Sequence, residues 1–228
     1  MNLLKPGWFA AACGAALLMT ACGGGGGNSG LFLPTTTTPT AAKPTVSVDD
    51  LSTGSYVVST DDANAPTIGK YYAAADGSRL LVFSDSDDRA KRVYRRDAGG
   101  AWVGVPAADK DVQVTLLQSN ALPAATVDLA TLAGSYAVQV ATGVSASLAV
   151  AADGTITPGA ASACKLSGKL SAGTLPRTLK LALSTSGCSG LPATASGVLV
   201  VDSDYAPASF RLLADDGAQV IDLWAFKE

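Results

Sequence analysis

Histidine is absent from all 228 residues, and of the 19 acidic residues only Glu228 is a glutamate. Charged residues make up 15% of the chain, against about 25% in an average globular domain. Each shortage excludes something. Without histidine there is no Ser-His-Asp triad and no imidazole metal ligand. Too few Glu, Lys and Arg are present for a charged helical bundle or coiled coil. A formal charge of −3 does not fit a basic nucleic-acid binder, so no nucleic-acid partner is expected. No apolar run reaches the roughly 20 residues of a membrane-spanning helix. At 48% hydrophobic, the chain is still too apolar to be wholly disordered.

What is present begins with an unusual N-terminus. One positive charge, Lys5, precedes an uncharged stretch from Trp8 to Ala21. Too short to span a bilayer, the stretch fits the apolar core of a signal peptide, residues 1–21. It ends in Leu18-Met19-Thr20-Ala21-Cys22. Here the chain resembles bacterial lipoproteins, whose lipobox places small residues before an obligatory cysteine. Met19 departs from the leucine commoner at its position. The resemblance implies that Cys22 carries diacylglycerol and palmitate, because its thiolate is the nucleophile. Gly23, where inner-membrane lipoproteins often carry Asp, implies an outer-membrane address, with the periplasmic face preferred over the cell surface. Residues 22–48 read as a tether. Gly23–Gly27 supply flexibility, and the Pro/Thr-rich run from Pro34 to Pro44 stiffens it. As a coil such a tether spans roughly 25–30 Å, and fully extended about 80 Å. The glycine run lacks the Lys-Ser/Thr of a phosphate loop, and no cofactor is expected.

Four cysteines then divide by position. Cys13 leaves with the signal and Cys22 is lipidated. Cys164 and Cys188 remain, and in an exported chain they are expected to form one disulfide. A hairpin centred near Pro176 would set them opposite each other. The expected role is structural, since neither a Cys-x-x-Cys motif nor a neighbouring histidine is present.

The rest of the chain is poor in helix formers. Short apolar stretches alternate with turn residues every 8–12 positions, which predicts an all-β fold. Eight candidate strands follow residue 134, near 134–142, 145–152, 155–158, 163–171, 178–186, 194–202, 207–214 and 218–226. Short connections predict an antiparallel meander forming a small β-barrel or sandwich. A smaller β-module over 49–120 precedes it, with strands near 54–60, 67–75, 78–84, 90–97, 101–105 and 111–118. Residues 121–133 form the junction. Asp76-Gly77, Asp153-Gly154 and Asp216-Gly217 mark tight hairpins, expected as type I′ turns. Leu51-Ser-Thr-Gly-Ser-Tyr56 resembles Leu132-Ala-Gly-Ser-Tyr136, and Ala73-Ala-Ala-Asp-Gly77 resembles Val150-Ala-Ala-Asp-Gly154. These echoes raise two related modules in tandem, or coincidence among common small residues.

The sharpest charged feature is Arg89-Ala-Lys91-Arg92-Val-Tyr94-Arg95-Arg96. On a strand, Arg92, Tyr94 and Arg96 share a face. Guanidinium groups beside an aromatic ring can grip a phosphate, a carboxylate or a sugar. Lipopolysaccharide, a bilayer surface or acidic peptidoglycan groups fit that chemistry. The plainer alternative is a solvated strand whose charges pair with Asp85, Asp87 and Asp88. Those aspartates lack the spacing of a calcium loop, and no metal site is expected. Ser162-Ala-Cys-Lys165 matches Ser-x-x-Lys, but on a strand its two ends face opposite sides. Trp102, Trp224, Tyr56 and Tyr136 are expected to anchor cores. No catalytic constellation emerges, so the expected function is a non-catalytic binding or structural role at the envelope. The membrane is engaged through the lipid anchor, and another envelope protein or a glycan is the further partner. Two alternatives are an inhibitor or adhesin that presents a loop, and a hydrolase of envelope polymers acting through Asp carboxylates such as Asp61-Asp62.

Overall fold

The computed structural model describes residues 42–60 and 68–228. The signal segment, Cys22, most of the tether and Asp61-Asp62 lie outside the described residues. Everything described is built from strands and two short 3₁₀ turns, Leu129–Leu132 and Ser203–Tyr205.

The first half contributes β1 (Val46–Val48), β2 (Gly54–Ser59), β3 (Ile68–Ala73), β4 (Arg79–Ser84), β5 (Ala90–Arg96), β6 (Val103–Val105), β7 (Val112–Val114) and β8 (Gln118–Ala121). The second half contributes β9 (Gly134–Ala141), β10 (Val144–Val150), β11 (Thr155–Pro158), β12 (Lys165–Ala172), β13 (Thr178–Ser186), β14 (Thr194–Val200), β15 (Phe210–Asp215) and β16 (Val220–Lys227).

Strands β9 to β16 form a closed antiparallel barrel in chain order, with β16 returning to β9 through Trp224–Lys227 against Tyr136–Gln139. The period-2 pattern dictates the closure. Leu166 and Leu170 on β12, Leu179, Leu181 and Leu183 on β13, and Ile221, Leu223 and Ala225 on β16 all point inward and are buried. Tyr136 meets Phe210 edge-on at 4.6 Å. Side chains thus fill the interior, as expected for eight strands. Each buried Leu contributes up to about 1.5–3 kcal/mol. Two inward positions are glycines. A Cβ on Gly168 would strike the Ala182 carbonyl, and one on Gly197 the Leu213 carbonyl.

The first half is an open sheet in the order β6-β5-β4-β3-β2-β8. Both faces are covered. On one side Val58, Tyr71, Leu81, Phe83 and Tyr94 pack against Val48 and Val114 of the parallel pair β1–β7. On the other, Tyr72, Leu80, Val82 and Val93 pack against Val198, Val200, Tyr205 and Leu213 from the outer wall of the barrel.

The two sequence echoes have structural counterparts. Tyr56 Oη donates to Ser52 O at 3.1 Å, and Tyr136 Oη to Leu132 O at 2.9 Å, the same reach back over four residues. Both Asp-Gly hairpins use one geometry. Gly77 N–H bonds Ala74 O while Ser78 N–H bonds Asp76 Oδ1, and Gly154 N–H bonds Ala151 O while Thr155 N–H bonds Asp153 Oδ1. Only the glycine has positive φ in each turn. The turns are therefore type I with a following left-handed glycine, not the expected type I′. The aspartate's role is to cap the next strand's amide.

Other expectations need correction. The tether does not run to residue 48. Thr45 N–H bonds Asp111 Oδ1 at 2.7 Å, and β1 then pairs with β7. The expected strand 111–118 splits into β7 and β8, which belong to different sheets. Asp49 Oδ2 accepts Leu116 N–H and Ser59 O accepts Leu117 N–H, and these bonds steer the chain to the free edge of β2. Cys164 and Cys188 do form a disulfide, with Cα atoms 4.4 Å apart. They are not directly opposite, because Lys165 pairs with Ser186 and the bridge lies just beyond that last pair.

Candidate functional site at the module junction

The basic segment 89–96 is dispersed by strand alternation and by a bulge opposite Phe83–Ser84. Tyr94 is buried beneath β1–β7 and meets Phe83 edge-on at 6.2 Å. Arg96 bonds Asp50 at 2.7 Å and stacks on Trp102, its guanidinium carbon 5.1 Å from the ring centre. Lys91 pairs with Asp85 at 3.1 Å. Arg89 donates to Gln139 on the barrel at 2.8 Å. Arg95 forks onto Asp215 at 2.9 and 3.1 Å. The face expected from Arg92, Tyr94 and Arg96 is therefore not a free anion-binding patch. Its ring is interior, and Arg96 is committed to a carboxylate. Asp85, read as a polar turn, plays that part. Its Oδ1 accepts Asp87 N–H and Arg89 N–H, and its carboxyl is held below the usual range chiefly by the Arg89 amide and Lys91.

What replaces the patch is a polar network at the junction of sheet and barrel. Its centre is Arg211 on β15, side chain 3% exposed, against Asp222 on β16. Nε and Nη2 each reach the carboxylate at 2.7 Å. Nη2 also donates to Asp88 O at 2.8 Å, and Asp222 Oδ2 accepts Ala90 N–H at 2.7 Å. The guanidinium lies 4.8 Å from the Trp224 ring and 5.5 Å from Tyr205. Burial disfavours its charge, but Asp222 outweighs burial and the Arg211 pKa is raised. A second clamp joins Lys70 on β3 to Asp202 at 3.1 Å and Asp204 at 2.6 Å. Burial again opposes the ammonium, and the two carboxylates more than restore it. Beside them Tyr72 and Tyr205 hydroxyls meet at 3.4 Å, and burial pushes the Tyr72 phenol well up.

Two clefts flank the tip of the β12–β13 hairpin. One, of about 560 Å³, is floored by Leu80, Val93, Val198 and Leu213 and rimmed by Arg95 and Lys180. The other, of about 740 Å³, lies between the tip, the start of β2 and residues 121–127. Arg177 lines it, in the left-handed region at φ 61°. Its Nη2 donates to Pro123 O at 2.6 Å, which ties the hairpin to the linker.

Sequence reading missed Arg211 and Arg177, because each finds its partner on another element, β16 for Arg211 and the linker for Arg177. Asp222 left a signal, as the one charge on the otherwise apolar outward face of Val220, Trp224 and Phe226. Ser162 Oγ donates to Cys164 O, and Lys165 Nζ to Gly159 O and Ala160 O, so the Ser-x-x-Lys pair is not assembled. Among the described residues no three His, Cys, Asp or Glu side chains gather as a metal site. Chemically the junction locks two modules together and leaves shallow clefts beside the lock. Comparison of the chain with protein families, curated proteins and solved structures finds no match.

Proposed function

We propose that the chain is a lipid-anchored envelope lipoprotein of the outer membrane whose β-body has a non-catalytic binding or structural role. The observation that carries this is the run Leu18-Met19-Thr20-Ala21-Cys22, followed at once by Gly23–Gly27 and the Pro/Thr segment. Acylation of Cys22 supplies more than the two membrane signals that stable anchoring requires. The body faces the periplasm.

The carboxylates support a non-catalytic role. A general acid or base needs a carboxyl free to exchange a proton with substrate. Asp202, Asp215 and Asp222 instead have oxygens taken by Lys70, Arg95 and Arg211. The barrel interior is occupied by its own side chains, so the external surface and the junction clefts do the recognising. Expression in a Gram-negative host, with mass analysis of the N-terminal peptide, tests the anchor. A diacylglyceryl and acyl adduct on Cys22 is expected, and Cys22→Ser releases the body from pelleted membranes. A wild-type chain with an unmodified Cys22 would overturn the proposal.

A further inference from the structure

Among the described residues, nothing packs on the outside of one wall of the barrel. The sheet module packs on the outside of β14, β15 and β16, β10 to β12 lie on the far side of the closed ring, and β13 forms the edge between them, with Thr178 buried and Lys180 at the rim of the junction cleft. From Ser145 onward, each outward residue on β10, β11, β12 and β13 is Ser, Thr, Ala or Lys. Their inward neighbours include the buried Leu, Ile, Val and Ala of the core, with Gly168 among them. Lys165 and Lys169 supply the charge, and Lys180 adds to it from the wall's edge, where it also rims the junction cleft near Asp76. Lys169 stands two residues along β12 from Ser171, the partner of Lys180, so the two ammonium groups are diagonal neighbours.

The charge of this wall runs against that of the protein. Between Gly134 and Val200 the chain carries Lys165, Lys169, Arg177 and Lys180 against Asp153 alone, while the whole chain is at −3. Asp153 pairs with Lys169 at 2.9 Å, but both side chains are at least half exposed, and such a pair is weak. Lys165 donates only to neutral carbonyls, which leaves its charge uncompensated.

The residue types narrow the partner. The wall lacks Trp, Tyr, Phe and Arg, the anchors of stable protein interfaces. It also lacks the bulky apolar groups that insert into a bilayer. What remains is a flat array of hydroxyls and ammonium groups, suited to an extended polymer that carries both hydroxyls and negative charge. Position favours the same partner. The chain joins the body at Thr45 and β1, and the layers then run β1–β7, sheet, near barrel wall, free wall. With layers about 10 Å apart, the free wall lies roughly 30–35 Å from where an upstream anchor would pull.

We infer that the Lys/Ser/Thr wall of β10–β13 binds an anionic glycan. This builds on the anchored binding role proposed above and makes the molecule a linker between bilayer and glycan layer. The test uses residues 22–228 with Cys22→Ser, so that its outcome is independent of acylation, which the Cys22 adduct decides separately. The probes are immobilised polygalacturonate, neutral dextran, and vesicles of equal phosphatidylglycerol and phosphatidylcholine. Retention on polygalacturonate and not on dextran is expected, with loss at high salt. The variant Lys165→Gln/Lys169→Gln/Lys180→Gln should bind about tenfold more weakly, at ~0.5 kcal/mol for each exposed charge contact. The control Lys43→Gln/Lys91→Gln/Lys110→Gln makes the same change in net charge away from the wall and should bind like the parent. Equal losses in both variants would mean general electrostatics and overturn the wall. Binding to vesicles but not to polygalacturonate would overturn the glycan in favour of a bilayer. No retention on any matrix would also overturn the inference.

Discussion

Asp222→Asn is the most informative single change. It preserves shape and most hydrogen-bonding capacity but leaves the Arg211 guanidinium buried without a counter-charge. The side chains are 3% and 7% exposed, so solvent cannot take over. Breaking a buried pair on one side costs about 3–5 kcal/mol, equivalent to a fall in melting temperature of roughly 10 °C for a body of this size. By contrast, Asp153→Asn at the exposed Lys169 pair should cost little, because solvent screens that pair. Replacing both partners, Arg211→Met with Asp222→Leu, should cost less than the sum of the single changes. Recovery will be partial, because Ala90 N–H and Asp88 O lose their acceptor and donor, at about 1–3 kcal/mol for each group left unsatisfied. Urea unfolding followed by circular dichroism and by tryptophan emission measures all three, and Trp224 lies 4.8 Å from the guanidinium. Since the network joins barrel to sheet, Asp222→Asn should also separate the two probes into distinct transitions. A cost for Asp222→Asn no larger than that of Asp153→Asn would refute the account of the junction.

Three further outcomes are expected. Reducing Cys164–Cys188, which are 24 residues apart, should remove about 3.5 kcal/mol on the chain-entropy account, read as a lower urea midpoint with reductant. Gly197→Ala should destabilise by roughly 1–3 kcal/mol through a clash with the Leu213 carbonyl, whereas Gly143→Ala, whose Cβ meets open space but at φ 72°, pays only for left-handed backbone, about 1 kcal/mol. Stability should be flat from about pH 5 to 9, with no histidine to titrate. The folded-state pKa values of Asp50, Asp85, Asp111 and Asp204 are lowered, and that of Asp153 falls to about 2. Their contribution is therefore present above the unfolded value near 3.9 and is lost as pH falls through the lower folded values. A midpoint that shifts between pH 6 and 8 would contradict this.

Local rules made the fold legible. The alternation in Val220–Lys227 and the leucines of β12 and β13 fixed which side chains face inward, and eight such segments with short links left closure as the way to remove edges. Asp-Gly located the hairpins, though the turn type was wrong because a capping aspartate does not need positive φ. Less legible was everything that depends on which segment meets which. Val46–Val48 looked like linker because its partner lies more than 60 residues away, at Val112–Val114. The cluster 89–96 looked like a patch because its partners Asp50, Asp215 and Gln139 are scattered along the chain. The charge contrast of the β10–β13 wall was already written in the composition of 134–200, but became a surface only once inward and outward positions could be told apart.

Ring closure also has a consequence in time. The barrel's first strand, β9, remains an open edge until β16, its last, arrives to pair with it through Trp224–Lys227. A chain crossing a membrane as an extended thread, N-terminus first, would pair one edge of β9 with β10 and hold the other open while the six intervening strands, β10 to β15, follow. Non-local pairing of this kind slows folding. For the export proposed above, that slowness would be an advantage, since a barrel that cannot close early cannot jam a passage.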